Sequence, residues 1–187
     1  CNPDIIEVNI SCPNVDNAYG KPFSCSAIDA AKVTKVVRAN TDKPIVIKLT
    51  PNVPSIAEIA LACAEAGADG FTLINTVAGM GIDVNLRRAI LTNKSGGVSG
   101  PAIKPVAVKA VYDVFKATGL PIIGTGGVMN GEDAIEMMMA GARLVGIGTM
   151  VYYRGVEGFG EIVKEMAEWC EKEGVKDLEE IIGAALR

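Results

Sequence analysis

The segment NISCPN, residues 9–14, places a cysteine between two asparagines just after an apolar run. The chain has no histidine, which excludes Ser-His and Cys-His nucleophilic pairs and the usual zinc sites. Proton transfer must then use Cys, Lys, Asp, Glu, Tyr or water. A buried, inert thiol is the ordinary state of a cysteine and suits Cys63 and Cys170, which lie in predicted helices. Cys12 instead lies beyond the end of a strand, and we predict that it is a catalytic base.

Polar side chains also interrupt the strand that leads to this cysteine. Glu7, Asn9 and Ser11 share one face of it, because side chains in a strand alternate with a period of two. Buried polar groups are costly unless they are paired or bind a ligand. Asn9 lies nearer the carboxyl end of the strand, where we expect a functional role. For Glu7, a site residue and a satisfied interior network are equally compatible with the sequence.

Two later strands end in polar residues as well. Lys48 lies at the end of the run PIVIKL, and Asn75 closes FTLIN. A lysine in a buried strand needs a carboxylate partner or a charged ligand. We expect Lys48 and Asn75 to lie on the same side of the sheet as Cys12 and to face a site. A structural ion pair is the alternative for Lys48.

Three glycine-bearing turns indicate an anion site. They are GTGGV at residues 124–128, GIGT at residues 146–149 and SGP at residues 99–101. Glycines let backbone N–H groups approach an anion closely, and a helix N-terminus adds a favourable dipole. Pro101 suits the first position of such a helix. We therefore predict a phosphate-binding rim, with plain tight turns as the alternative.

The elements that must position these residues alternate between strand and helix. Repeated strand–helix units predict a parallel sheet with right-handed crossovers. Ser55 is the predicted N-cap of the second helix and Gly67 its stop. The predicted strands cover residues 5–11, 44–49, 71–75, 121–124 and 144–148. The predicted helices cover residues 28–40, 55–66, 102–117, 132–140, 158–172 and 178–186.

The pattern favours an α/β fold of the (β/α)8 TIM-barrel type over a doubly wound sheet. The segment AGADGFTLIN has a counterpart in AGARLVGIGT, and no GxGxxG follows the first strand. A closed barrel has eight strands and about 250 residues, whereas this chain supplies five strands, interpreted as strands 4 to 8. Residues 1–187 are therefore expected to be the C-terminal part of a single barrel domain. The long connection over residues 76–100 leaves the carboxyl end of a strand, which favours a functional loop.

Composition sets the wider class of protein. The chain is 49% hydrophobic and 21% charged, with a net charge of −4, as in ordinary soluble domains. The acidic balance argues against a nucleic-acid partner, and no apolar run approaches the ~18 residues of a membrane span. The five cysteines are irregularly spaced and make a poor disulfide framework. We expect a cytoplasmic protein without a metal site or a membrane partner.

The chain resembles the dihydroorotate dehydrogenase family in motifs that cover essentially its whole length: NISCPN, VIKLTPNV, LINT, SGGVSGPAIKP, LPIIGTGGV and VGIGT. The resemblance is strongest to the NAD-linked cytoplasmic type, class 1B, whose catalytic chain pairs with an iron–sulfur flavoprotein subunit. It implies an FMN-binding barrel that oxidises (S)-dihydroorotate to orotate in pyrimidine biosynthesis. It also implies a homodimer, with FAD and a 2Fe-2S cluster only on the partner subunit. The N-terminal third of the family chain, with three strands, is not found here.

The resemblance implies roles for individual residues. Cys12 takes the place of the base that removes the C5 proton of the substrate, while the C6 hydride passes to N5 of FMN. Lys48 matches the lysine beside the N1/O2 edge of the flavin. Residues 14–26 are interpreted as a mobile lid over the substrate. The residues that match substrate ligands are Asn9, Asn14, Asn75 and Thr76. The residues that match the cradle of the FMN phosphate are Gly100, Gly126, Gly127, Gly148 and Thr149.

Two other functions are compatible with parts of the pattern. A different FMN barrel acting on a dihydropyrimidine would reuse the cysteine and the lysine. A non-redox phosphate-binding barrel would explain the glycine turns but would leave the polar residues at the strand ends unexplained. The electron acceptor, NAD or fumarate, stays open, as does whether residues 150–154, MVYYR, face a partner or the flavin edge.

Overall fold

The computed structural model describes residues 2–11 and 22–187. Five parallel strands in that part of the chain form a sheet of order β1-β2-β3-β8-β9. The strands, in chain order, are β1 Ile6–Asn9, β2 Ile45–Lys48, β3 Gly70–Leu73, β4 Val77–Gly79, β5 Ile82–Asp83, β6 Arg88–Ala89, β7 Gly96–Val98, β8 Ile122–Thr125 and β9 Leu144–Gly146. The predicted parallel sheet is confirmed, although four of its strands are one to three residues shorter than predicted and β8 is shifted by one residue.

Helices follow the strands of this sheet, and side-chain caps set the starts of three of them. Ser26 accepts a hydrogen bond from the backbone at the start of α1, and Asn130 does the same for α4. The predicted N-cap Ser55 accepts from the backbone N–H of Glu58 and begins α2. The helices are α1 Ala27–Arg38, α2 Ile56–Glu65, α3 Lys104–Thr118, α4 Gly131–Met139, α5 Met150–Arg154 and α6 Gly158–Glu173.

The hydrophobic core lies between the sheet and these helices. Alternate strand residues such as Ile47, Phe71 and Ile122 face the helices and are almost fully buried. Burying each such side chain contributes about 1.5–3 kcal/mol. In α2 the buried positions recur at helical spacing, which gives that helix one apolar face: Ile56, Ile59, Ala60 and Cys63.

The opposite face of the sheet carries a row of polar side chains on its first three strands. Asn9 is the register partner of Lys48, and Lys48 is the register partner of Thr72. Partners in a parallel ladder point to the same side, so these three side chains form a row across three strands. The sheet has helices on one face, polar and apolar side chains together on the other, and the carboxyl ends of its strands at one rim. These are the features of five consecutive units of a (β/α)8 barrel.

The long connection between β3 and α3 has secondary structure of its own. β4 pairs with β7, and β5 pairs with β6, both antiparallel. The sequence predicted only a loop here, because strands of two or three residues carry too short an alternation to recognise. The segment rises from the carboxyl end of β3, on the rim where the site was predicted.

The end of the chain differs from the prediction. A helix over residues 178–186 was wrong: the structure has two 3-10 turns, Leu178–Glu180 and Ala184–Leu186. Gly183 separates them with a φ of 68°, which is left-handed and ends any regular helix. The short helix α5 was not predicted at all. Among the described residues, no helix combines the length and the apolar character that crossing a membrane requires.

Candidate functional site

A cavity of about 170 Å³ opens at the rim where β2, β3, β8 and β9 end. We call it the rim cavity. Asn75 and Thr76, both predicted to bind substrate, lie on its wall. So do all the residues predicted to bind a cofactor: Lys48, Gly100, Gly126, Gly127, Gly148 and Thr149. The structure therefore brings together residues that are up to about a hundred positions apart in the sequence.

A larger hollow of about 630 Å³ adjoins the rim cavity and shares Asn75 and Thr76 with it. This volume lies within the usual range for small-molecule sites. Ser11, the residue before Cys12, also lines the hollow. Cys12 and Asn14 themselves lie outside the described residues, so their roles stay predictions. Two adjoining compartments with Asn75 between them could hold two molecules side by side.

The glycine turn after β8 is built against the start of α3. Gly126 and Gly127 have φ values of 133° and 80°, which side chains other than glycine rarely adopt. A Cβ on Gly127 would lie 2.6 Å from the Cβ of Lys104 and 2.7 Å from its backbone nitrogen. The fold therefore requires glycine at this position.

Gly148, after β9, is not crowded by neighbouring atoms as Gly127 is. A Cβ on Gly148 would meet no atom within 4 Å, so the space beside it is open to the cavity. Thr149 follows, and its hydroxyl donates to the Ser99 hydroxyl at 3.0 Å. That contact joins the β9 turn to the turn before α3. Hydroxyls and bare backbone on one wall suit an anion such as a phosphate.

Two predicted substrate residues hold the backbone that leads to Cys12. The side-chain oxygen of Asn9 accepts from the backbone N–H of Ser11 at 3.1 Å and from its hydroxyl at 2.7 Å. The side-chain nitrogen of Asn75 donates to the Ser11 carbonyl at 2.8 Å. Each amide keeps further hydrogen-bonding capacity. Ser11 is 2% exposed, so its position is tightly defined at the entry to the cysteine-bearing segment.

Lys48 belongs to a polar network on the interior face. Its Nζ lies 3.8 Å from Oε1 of Glu7, and the other oxygen of Glu7 accepts from the Thr72 hydroxyl at 2.7 Å. Glu7 thus belongs to an interior network, the plainer of its two interpretations. A separation of 3.8 Å is too long for a hydrogen bond, so the ammonium of Lys48 can donate to a ligand in the rim cavity.

The predicted lid, residues 14–26, is described only from residue 22 onward. Phe23–Cys25 forms a 3-10 turn, and the backbone N–H of Ser24 donates to the carbonyl of Ile10 at 3.1 Å. Ser24 is fully buried. The last part of the predicted lid is therefore packed against β1 and its continuation, while the earlier part lies outside the described residues.

Sequence reasoning missed Asn52 in the loop after β2. Its side-chain nitrogen donates to the Thr76 carbonyl at 3.0 Å, and its side-chain oxygen accepts from the backbone N–H of Ala78 at 2.8 Å. The same nitrogen donates to the Thr50 hydroxyl at 2.9 Å. Asn52 therefore fixes the backbone beside Asn75. The only signal in the sequence was an asparagine two residues past Thr50 in the loop TPNV.

The buried cysteine in α2 behaves as predicted. Cys63 is completely buried, and burial raises the pKa of its thiol above the usual value. A hydrogen bond with Thr34 offsets part of that rise. A thiol that is harder to ionise and has no contact with solvent is unsuited to chemistry, so Cys63 is part of the core.

Comparison with known proteins identifies what the chain is similar to. The family described as Dihydroorotate dehydrogenase matches residues 1–169. Proteins named "Dihydroorotate dehydrogenase B (NAD(+)), catalytic subunit" are 49% identical in Desulforamulus reducens over 96% of the chain and 45% identical in Pyrococcus abyssi over 98% of the chain. These matches cover 59% and 61% of the two relatives, so the chain spans about 60% of their length.

A solved structure confirms the fold. The crystal structure of DHODH in complex with ferulenol from Eimeria tenella superposes with a TM-score of 0.82. The match covers 98% of this chain and 54% of that one, at 23% sequence identity. The chain therefore has the fold of part of a (β/α)8 barrel, as the sequence predicted.

Proposed function

This chain belongs to the dihydroorotate dehydrogenase family, and from that premise we propose that the protein containing it oxidises (S)-dihydroorotate to orotate in pyrimidine biosynthesis. The observation that carries the proposal is the rim cavity, in which Lys48, Asn75 and the glycine turns lie together. We also propose that residues 1–187 form the C-terminal part of a single barrel domain. The partial coverage of the relatives supports that assignment.

FMN is the cofactor that we propose for the rim cavity. The wall formed by Gly100, Gly126, Gly127, Gly148 and Thr149 suits a phosphate, because glycines leave the backbone N–H groups uncovered. The open space beside Gly148 is room that a side chain would fill. Lys48 offers a positive charge to the flat ring system. When bound, FMN supplies the acceptor for the hydride that leaves C6 of the substrate.

The adjoining hollow is the proposed substrate compartment. Asn9, Asn14, Asn75 and Thr76 would orient the pyrimidine ring through neutral hydrogen bonds. The thiolate of Cys12 would take the C5 proton, so that the C5–C6 double bond of orotate forms as the C6 hydride leaves. The hydrogen bonds that join Ser11 to Asn9 and Asn75 support this assignment, because they fix the backbone one residue before the proposed base.

A partner subunit is also part of the proposal. The relatives are called the catalytic subunit of a B-type enzyme that uses NAD(+), which supports a separate electron-transfer subunit. We propose a homodimer of the catalytic chain that pairs with an iron–sulfur flavoprotein subunit carrying FAD and a 2Fe-2S cluster. The irregular spacing of the cysteines supports a reducing, cytoplasmic setting.

The test is the visible spectrum of the complete protein that contains this chain, recorded without oxygen before and after dihydroorotate is added. We expect a bound flavin whose absorbance bleaches on addition. Cys12→Ala should slow bleaching at least about 100-fold, because general-base catalysis contributes on that scale, and should leave the flavin bound. Cys170→Ala, in α6 and away from the rim, is the matched control and should bleach like the unsubstituted protein.

Other outcomes would redirect the assignment. A bound flavin that bleaches with another dihydropyrimidine, but not with dihydroorotate, would keep the redox barrel and change the substrate. A complete protein that binds no flavin would reject the redox function and leave a phosphate-binding barrel. Equal bleaching rates for Cys12→Ala and the unsubstituted protein would reject the proposed base.

A further inference from the structure

The backbone of Met129 is held by charged side chains at both of its polar groups. It lies two residues after the glycine pair of the β8 turn. Its N–H donates to Oδ2 of Asp133 at 2.9 Å, and its carbonyl accepts from Nη1 of Arg154 at 2.9 Å. Hydrogen bonds to ionised groups are stronger than neutral ones. Side chains from α4 and α5 therefore hold the two peptide groups on either side of the Met129 Cα.

On the α4 side, Asp133 is held by an ion pair with Lys104 at the start of α3. Asp133 is only 8% exposed, and its Oδ1 lies 2.6 Å from Nζ of Lys104. Glu136 lies at 2.6 Å from the same ammonium. Hydrogen bonds with Asp133 and then Glu136 raise the pKa of Lys104, so the lysine stays charged. The main chain of this same Lys104 packs against Gly127.

On the α5 side, Arg154 is held by ion pairs with two glutamates of α6. Nη2 of Arg154 lies 2.6 Å from Oε2 of Glu161 and 2.6 Å from Oε1 of Glu165. Glu165 in turn accepts from the backbone N–H of Gly131 at 2.6 Å. The Arg154 contact is the main reason that the pKa of Glu165 lies below its usual value. Backbone groups of Met129 and Gly131, just after the glycine turn, are thus held by ion-paired side chains.

These charged residues are not on the wall of the rim cavity. Its lining includes Gly126, Gly127 and Val128 but neither Lys104 nor Arg154. Both cations are saturated by carboxylates instead. These side chains can therefore act on a ligand through the backbone that they hold, and an anion site made of backbone N–H groups depends on the direction of each one.

We propose that Lys104, Asp133, Arg154 and Glu165, together the Met129 clamp, are positioning residues that set the direction of the Gly126–Val128 turn and so give the site its preference for a phosphorylated over an unphosphorylated flavin. This inference rests on the proposed function, because it takes FMN as the ligand. The clamp acts on the phosphate end of the cavity. Lys48, Asn75 and the adjoining hollow lie outside its contacts.

The test measures the dissociation constants of FMN and riboflavin for the complete protein after its flavin has been removed. Arg154→Lys keeps a charge but loses the forked contacts, and Asp133→Asn keeps the shape but loses the charge. We expect each to weaken FMN at least about tenfold and to change riboflavin less than about twofold. Lys109→Met, which removes an exposed ion pair on the outer face of α3, is the matched control.

The possible outcomes distinguish failure of the clamp proposal from failure of the proposed function. Loss of affinity confined to FMN, with Lys109→Met unchanged, supports the clamp. Equal losses for both flavins, or no loss for either, overturn it, because the residues would then support only the fold or nothing at the site. Should Asp133→Asn fail to fold, Arg154→Lys decides the matter by the same comparison. An unsubstituted protein that binds neither flavin would overturn the proposed function and the clamp with it.

Discussion

The rim cavity has main chain on one side of its wall and side chains on the other. After β8 and β9, the wall of the rim cavity is mainly main chain: glycines and a hydroxyl held from behind by ion pairs. After β2 and β3, the wall is mainly side chains: Lys48, which faces Glu7, and Asn75, which donates to the Ser11 carbonyl. We call these the backbone side and the side-chain side.

The difference determines what each side tolerates. A site made of main chain uses backbone groups that a substitution cannot replace. It fails when an added side-chain atom moves the backbone. A site made of side chains keeps its backbone after a substitution, but it loses the particular charge or hydrogen bond that the chemistry needs. The backbone side should therefore respond to volume, and the side-chain side should respond to chemical type.

The largest effect should come from adding one methyl group to the backbone side. Gly127→Ala would place a Cβ against the main chain of Lys104 at a positive φ, which we expect to cost about 2–5 kcal/mol of unfolding free energy and to abolish tight FMN binding. Denaturant unfolding and flavin titration measure both. Gly148→Ala has open space and should lose less than about 1 kcal/mol. Similar costs for the two would show that the close approach of Lys104 does not decide what the backbone side tolerates.

A smaller but more specific effect should follow loss of the charge on the side-chain side. Lys48→Met keeps the length of the side chain and should leave the fold and flavin binding intact. We expect the midpoint potential of the flavin to become more negative and its reduction by dihydroorotate to slow about 100-fold, because a positive charge near the ring favours its reduced form. Spectroelectrochemistry and stopped-flow bleaching check this. An unchanged potential would contradict a contact between Lys48 and the flavin.

Removing the support behind the side-chain side should have a weaker effect. Asn52→Ala loses hydrogen bonds to Thr76 and Ala78, which we expect to raise the KM for dihydroorotate up to about tenfold with little change in flavin affinity. Asn40→Ala, which loses a bond at the exposed end of α1, is the control. A fall in flavin affinity with an unchanged KM would contradict this prediction, because Asn52 would then support cofactor binding rather than substrate binding.

The smallest effect concerns acid stability on the backbone side. The pKa of Glu165 is lowered in the folded chain, mainly by Arg154. Its stabilising contribution is therefore present above the unfolded pKa and is lost as pH falls through the folded value. Because the pair is partly exposed, solvent weakens the contribution. Unfolding midpoints between about pH 3 and pH 6 should fall less steeply for Glu165→Gln. Parallel curves would show that the pair adds no stability.

The sequence could predict the lining of the rim cavity but not the support behind it. Lys48, Asn75 and the glycines stand at strand ends, where a parallel sheet forces them to one rim, so their placement follows from topology alone. The Met129 clamp joins α3, α4, α5 and α6 through contacts 11 to 34 residues apart. On their own helices these charges look like ordinary solvated faces, and no periodicity marks which of them meet. Asn52 escaped prediction for the same reason, since its partners come from another loop.

The edges of the five-stranded sheet have a consequence for handling the chain. Within the described ranges, β1 and β9 each have one neighbour in that sheet. A strand with one side unpaired offers backbone groups to any other strand that arrives, and Leu144 in β9 is 62% exposed. Produced by itself, this polypeptide should therefore tend to join edge to edge into larger species. Light scattering should show that tendency growing with concentration.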